Sequence, residues 1–219
     1  MFLPMLDYFC EDDRDGFRDR AARGNIGMGV HHFAIATKNF EMAHHFYTQV
    51  MHFPLVAGVK RQAPGGGWTK HMFYDIGDGE TMALWDLRGI EGVQLDPDSW
   101  RSPISTGLGL PRWINHFAFN CKGGEEELQQ RKRNWLDNGY HVSMTDHEFI
   151  RSIYTFDPDG NLIEWTYDTR PINEEDTRYA HEILLDDSPA TEGDYEGPFV
   201  RSTVEKYKPA PKPLPEPVK

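Results

Sequence analysis

Three side chains in this 219-residue sequence have the types and the placing to hold a metal ion: His32, His116 and Glu164. His32 lies in Val30-His31-His32-Phe33-Ala34-Ile35-Ala36-Thr37, a pattern that recurs loosely as Ile114-Asn115-His116-Phe117-Ala118-Phe119-Asn120-Cys121. In both copies alternating apolar residues follow the histidine, so each imidazole is expected to project from a β-strand toward one side. Glu164 stands inside Leu162-Ile163-Glu164-Trp165. A carboxylate in such a run is costly unless it is paired or bound to a cation. Two imidazoles and one carboxylate leave open positions on an octahedral ion, the set used in non-haem Fe(II) oxygen chemistry, and the same groups can hold Mn, Ni or Zn. Taken singly, each residue has a plainer reading, as a histidine satisfied in a core or a glutamate paired with an arginine. Their alignment within a repeat favours the metal. In the first copy the place of Glu164 falls to Ala83 or Leu84, depending on whether Gly79 or Trp85 anchors the alignment, and neither can be a ligand.

The elements that must position these groups repeat as well. The first copy reads strand from His31 to Thr37, helix after the N-cap Asn39, then strands over 53–59, 71–75 and 81–87. The second reads strand over 114–121, helix over 125–138 closed by Gly139, then strands over 140–145, 152–156 and 162–167. Asp78-Gly79 and Asp157-Pro158-Asp159-Gly160 make the turns before the two last strands. The expected organisation is an N-terminal extension (1–27), a first module (28–90), a connector (91–111), a second module (112–170), and an acidic helix with a Pro-rich tail (171–219). In that tail Pro209, Pro211, Pro213, Pro215 and Pro217 alternate with other residues, which favours extended, unpacked chain.

A net charge of −12 argues against nucleic acid, because phosphate binding needs clustered Lys and Arg. No apolar run approaches the roughly 18 residues of a membrane span, and the first ten residues lack the pattern of a secretory signal. Two cysteines, Cys10 and Cys121, make a disulfide framework unexpected and a reducing, cytoplasmic setting the plain reading. Cys121 is read as a small buried residue. His31 should face away from His32. His44, His45 and His52 belong to the first helix or its end, and His141 and His181 carry no signal.

Tandem modules of this kind resemble the vicinal oxygen chelate superfamily, which includes glyoxalase I, extradiol ring-cleaving dioxygenases and bleomycin-binding proteins. The resemblance covers about residues 28–170. Its most specific stretch is Asp146-His147-Glu148-Phe149-Ile150-Arg151-Ser152-Ile153-Tyr154, continuing through Asp157-Pro158-Asp159-Gly160 to Glu164-Trp165. It implies an α+β fold in which two βαβββ modules form a cupped, mixed β-sheet around a metal held by His32, His116 and Glu164. The empty place at Ala83 or Leu84 brings the set closer to the dioxygenases and the fosfomycin-resistance enzymes than to glyoxalase I and methylmalonyl-CoA epimerase, which use a fourth protein ligand. Extradiol enzymes also carry a tyrosine ten residues before the ligating glutamate, where Tyr154 stands, and it hydrogen-bonds the substrate oxygen. They need a histidine for proton transfer. His71 is the first choice, because alternation places it on one face with Phe73, the counterpart of Tyr154. His147 is the second, with Thr145 at the place the dioxygenases' own histidine holds.

The expected function is an Fe(II)-dependent extradiol-type dioxygenase acting on a catechol-like compound. The alternatives are a glyoxalase-like lyase or isomerase using a divalent metal and a small-molecule binding protein without chemistry. Trp68, Phe73, Trp85 and Trp113 are candidates to line an aromatic substrate's pocket. The expected partners are a small-molecule substrate and a second copy in a homodimer, with no nucleic acid and no membrane.

Overall fold

The order β1 (His32–Ala36), α1 (Phe40–His45), β2 (Leu55–Gln62), β3 (Trp68–Gly77), β4 (Glu80–Arg88) recurs as β5 (His116–Asn120), α3 (Gly124–Asp137), β6 (Val142–Asp146), β7 (Ile150–Phe156), β8 (Leu162–Asp168). The short helix α2 (Ile104–Gly107) lies between the copies, and α4 (Glu174–Leu184) and β9 (Thr203–Glu205) follow them. The computed structural model describes residues 29–93, 103–189 and the backbone of 203–205; the predicted extension, most of the tail and part of the connector lie outside them. The chain up to His31 is a unit of its own, of which residues 29–31 are exposed and without regular structure. Both modules fall within the unit that begins at His32.

Each module is a mixed sheet, in the orders β1-β4-β3-β2 and β5-β8-β7-β6-β9. β1 runs parallel to β4 and β5 parallel to β8, with the remaining pairs antiparallel, so the fold is α+β with two βαβββ modules. The predicted cupped sheet is thus built as two halves. Local sequence explains the helices. The Asn39 side chain accepts the Met42 N–H and caps α1, which widens into a π-helical turn over Phe46–Val50 before Met51. Leu128 and Trp135, two turns apart, are the buried residues of α3, and Gly139 ends it with φ 87°. Asn173 and Asp176 form a reciprocal capping box at the start of α4. β9 was not expected. It adds antiparallel to β6, pairing Ser143 with Val204, and supplies partners to an edge that otherwise exposes its N–H and C=O groups.

Alternation decides what joins the halves. Phe33 and Phe117, each following its module's histidine, stack at 4.9 Å, and Phe53, Phe119 and Trp165 continue one shared aromatic core. The turns before β4 and β8 also reach across. Asp159 accepts the backbone N–H of Lys38 at 3.1 Å, while Asp78 pairs with the Lys122 ammonium. By the repeat these contacts are mirror images, each module's turn touching the residue just beyond its sister's first strand. Asp157, 5% exposed, accepts four hydrogen bonds, one from Tyr47 of the other module at 2.8 Å.

Candidate metal and substrate site

In the second module alternation divides β8. Ile163 and Trp165 enter the core, leaving Leu162 and Glu164 on the opposite face. The register sets Glu164 beside Ala118 of β5 and Tyr154 of β7. His116, two residues before Ala118, is therefore a diagonal neighbour of the carboxylate. Its Nδ1 lies 3.1 Å from the Ile114 carbonyl, an acceptor only, so Nδ1 carries the proton and donates. Nε2 then faces Glu164 Oε2 at 3.3 Å. A lone pair against a carboxylate oxygen is repulsive, so this contact requires a proton shared between the two groups or a cation between them. Glu164 is only 2% exposed, although no arginine pairs with it among the described residues.

Its other oxygen accepts from the Tyr154 hydroxyl at 3.2 Å, and that hydroxyl lies 3.0 Å from His147 Nε2. With Tyr154 donating to Glu164, Nε2–H of His147 must donate to Tyr154. Burial foremost, with the Glu164 charge beside it, pushes the Tyr154 phenol up to about 12, so it stays a donor near neutral pH. The four side chains form one chain: His147, Tyr154, Glu164, His116.

His147 sits in the β6–β7 hairpin, where Glu148 has φ 70°, an uncommon conformation for a residue with a side chain. Arg151 holds the hairpin, with Nη2 2.6 Å from Asp146 and Nη1 3.0 Å from Glu125, and Arg170 links Glu148 to Asp176. Hydrogen bonds from Arg151, first among the causes, hold the Asp146 carboxyl below its ordinary value of 3.8. A folded-state pKa below the unfolded one gives stability that is present above 3.8 and lost as pH falls through the lowered value. Asp146→Asn should therefore lose less stability than the wild type as pH falls below about 4, read as the urea midpoint against pH. An unchanged acid slope would show that the pair contributes nothing to this dependence.

A cavity of about 600 Å³ opens over this face, lined by Trp113, Ile114, His116, His141, Val142, Ser143, Thr145, His147, Tyr154, Thr155, Phe156 and Leu162. His141, Ser143 and Thr145 escaped sequence reading as site residues. Their period-two spacing between Val142 and Met144 was the available signal.

The first module departs from this arrangement. Ala83 pairs with Ala34 and Phe73 as Glu164 pairs with Ala118 and Tyr154, which settles the alignment on Gly79 and makes Ala83 the counterpart of Glu164. His71 does share a face with Phe73, at 4.3 Å between ring centroids, and His32 lies edge-on to the same phenylalanine at 5.8 Å. His71 stacks on Trp85 at 3.8 Å with a buried, unbonded Nε2, and burial, then His32, lowers its pKa. It makes no hydrogen bond to Tyr154 or Glu164; His147 is the histidine on that tyrosine. Trp68 lies under Lys60 at 4.5 Å, which leaves Trp113 as the member of the predicted aromatic set that lines the cavity. Cys121 is buried and its thiol pushed up to about 12, chiefly by that burial, as packing requires.

Residues 29–165 match the family model of the Glyoxalase/Bleomycin resistance protein/Dioxygenase superfamily. The chain belongs to that superfamily. Among solved structures, the superfamily member is similar to lactoylglutathione lyase from Agrobacterium tumefaciens at 16% identity and TM-score 0.42, covering 64% of this chain and 94% of that one. A fosfomycin resistance protein from Listeria monocytogenes gives 18%, 0.43, 66% and 96%. A glyoxalase/bleomycin resistance protein/dioxygenase from Alicyclobacillus acidocaldarius gives 16%, 0.43, 68% and 96%. No curated protein matches the sequence.

The donors present can be tested against the divalent metals typical of the superfamily. His116 and Glu164 fit: two donors converge, Nδ1 is held by a carbonyl as metal-bound histidines commonly are, and Tyr154 steadies the second carboxylate oxygen. His32 occupies the equivalent strand position but does not join them. Among the described residues no three His, Cys, Asp or Glu side chains are grouped closely enough to hold an ion. No described helix is long and apolar enough to cross a membrane.

Proposed function

We propose that this superfamily member is a metal-dependent enzyme acting on a substrate with vicinal oxygens, and that its reaction is Fe(II)-dependent extradiol cleavage of a catechol-like ring. The observation that carries the reading is the chain His147–Tyr154–Glu164, joined by hydrogen bonds, with His116 Nε2 against the second carboxylate oxygen, beneath the second module's cavity. His116 and Glu164 would hold the ion; His32 of the other module, the third ligand that the repeat suggests, stands apart from them. When bound, the metal supplies a Lewis acid for the two substrate oxygens and open positions for oxygen.

The chain's own groups have separate tasks. The Ile114 carbonyl fixes the ring of His116, so that Nε2 is the donor offered. Tyr154 keeps its proton and can give its hydrogen bond to a substrate oxygen that displaces Glu164 as acceptor. His147 stands behind Tyr154, its Nε2 within hydrogen-bond reach of the phenol, so a proton can pass between the two groups. Trp113, Ile114, Phe156 and Leu162 offer the ring apolar surface along the cavity.

The test is the metal content per chain after anaerobic purification without a metal-affinity step, followed by a catechol screen for ring-cleavage colour. About one iron per chain with coloured product supports the reading. Zinc, nickel or manganese with no oxygen uptake redirects it to glyoxalase-like lyase or isomerase chemistry, and no metal even after reconstitution leaves a binding protein. Tyr154→Phe should keep its metal and lose roughly 10²–10⁴-fold in kcat, the usual range for a positioned proton-transfer group. A kcat within a factor of two of wild type would remove Tyr154 from the mechanism.

A further inference from the structure

One cation beside the cavity has no carboxylate partner among the described residues. Arg112 stands in the exposed segment that leads into β5, a segment anchored where Asn115 N–H and Nδ2 both donate to Ser105 Oγ, at 2.8 and 2.9 Å. Its guanidinium carbon lies 4.2 Å from the centroid of Phe156, a lining residue of the cavity, and the next two residues, Trp113 and Ile114, line it too. Nη2 of Arg112 also lies 3.2 Å from where a Cβ on Gly160 would stand, so the glycine leaves the space the guanidinium takes. In a chain of net charge −12, Arg88, Arg131, Arg151, Arg170 and Arg178 are each paired with a carboxylate. Arg112, like Arg61 and Arg133, is paired with none among the described residues, and of these three it is the one that lies against a lining residue of the cavity.

A guanidinium lying over a ring uses no N–H in that contact, which leaves its donor fork free to grip a carboxylate with two hydrogen bonds. The cavity lining itself offers apolar surface, hydroxyls and imidazoles but no lysine or arginine. An anionic ligand would therefore find its counter-charge at Arg112, while an uncharged one would leave Arg112 unused. We propose that Arg112 is a specificity-determining residue and that the substrate is a planar ring carrying a carboxylate in addition to its vicinal oxygens. This rests on the second-module cavity being the substrate site, as in the function proposed above.

Binding can be measured by titration calorimetry on the full chain, without turnover, using 3,4-dihydroxybenzoate against catechol and benzoate against benzyl alcohol. Each carboxylate should bind at least about tenfold tighter than its neutral counterpart, as one charge-assisted pair is worth. The preference should shrink as ionic strength rises. Arg112→Met keeps the apolar stem over Phe156 and should abolish the preference while leaving the neutral ligands unchanged; Arg112→Lys keeps the charge without the fork and should restore part of it. Equal affinities within each pair in the wild type, a preference that survives Arg112→Met, or no binding by either carboxylate overturns the inference. Benzoate discrimination lost in Arg112→Met, with neither diol binding, would uphold Arg112 and count against the vicinal-oxygen reading.

Discussion

Replacing His116 by alanine is expected to strip the protein of its metal. In the proposed ligand set His116 and Glu164 are the two donors already in contact, at 3.3 Å, and His32 comes from the other module. Losing even an outer partner of a metal ligand costs roughly 10–100-fold in affinity, so losing the ligand itself should cost more. Elemental content after dialysis should fall below about a tenth of wild type on that scale, and turnover should fall to background. The fold should survive, because the His116 side chain is 42% exposed and stands outside the aromatic core that joins the modules. Calorimetric unfolding should therefore show a single transition close to that of metal-free wild type, because loss of a bound metal by itself lowers the transition temperature. Undiminished metal content in a folded His116→Ala protein would refute both metal-dependent readings. His71→Ala provides the contrast. His71 stacks on Trp85 and makes no hydrogen bond to the Tyr154 chain, so its truncation should lower metal content far less than that of His116.

Truncating Asp157 to alanine should give the largest loss of stability among the residues that join the modules. Its Oδ1 accepts the N–H groups of Asp159 and Asn161, at 2.9 and 2.8 Å, and its Oδ2 accepts Tyr47 Oη and Asn161 Nδ2, at 2.8 and 2.9 Å. Tyr47 is 1% exposed, so its hydroxyl would be left without water or a partner. A buried group stranded in this way costs about 1–3 kcal/mol, and because neighbouring losses are not additive the total should be about 3–5 kcal/mol. That is a large share of the roughly 5–15 kcal/mol that holds an ordinary domain together. Urea unfolding should show a lower midpoint with an unchanged slope. Tyr47→Phe removes one donor and leaves Asp157 three, which should cost about 1–2 kcal/mol. Lys122→Ala breaks only the exposed pair with Asp78 on the equivalent turn and should change stability by less than about 1 kcal/mol. A Tyr47→Phe loss as large as that of Asp157→Ala would place the cost in the aromatic core instead of the carboxylate.

Much of this architecture was legible in the sequence, because it depends on short-range rules. The period of two fixed that His32 and His116 leave the face that Phe33 and Phe117 present to each other. Asn39 and Gly139 marked helix ends through backbone hydrogen bonding and a left-handed turn that involve only near neighbours. Glu164 stood out because an acid inside an apolar strand must answer to something, and the structure buries it against Tyr154 and His116. Alternation also placed His71 with Phe73, correctly, but a shared face does not choose a partner. Tertiary structure chose His147 for Tyr154, because the bent β6–β7 hairpin brings Nε2 within 3.0 Å.

The same limit hid the rest. Asp157-Pro158-Asp159-Gly160 reads locally as a turn, yet Asp157 and Asp159 bind groups 110 and 121 residues away. Arg112 and His141 became neighbours of one cavity only through the packing of segments far apart in the chain. Backbone periodicity and capping chemistry set where each side chain points. Which group stands opposite it follows from how two separately patterned halves bury their aromatic faces against each other, and that depends on the whole chain at once.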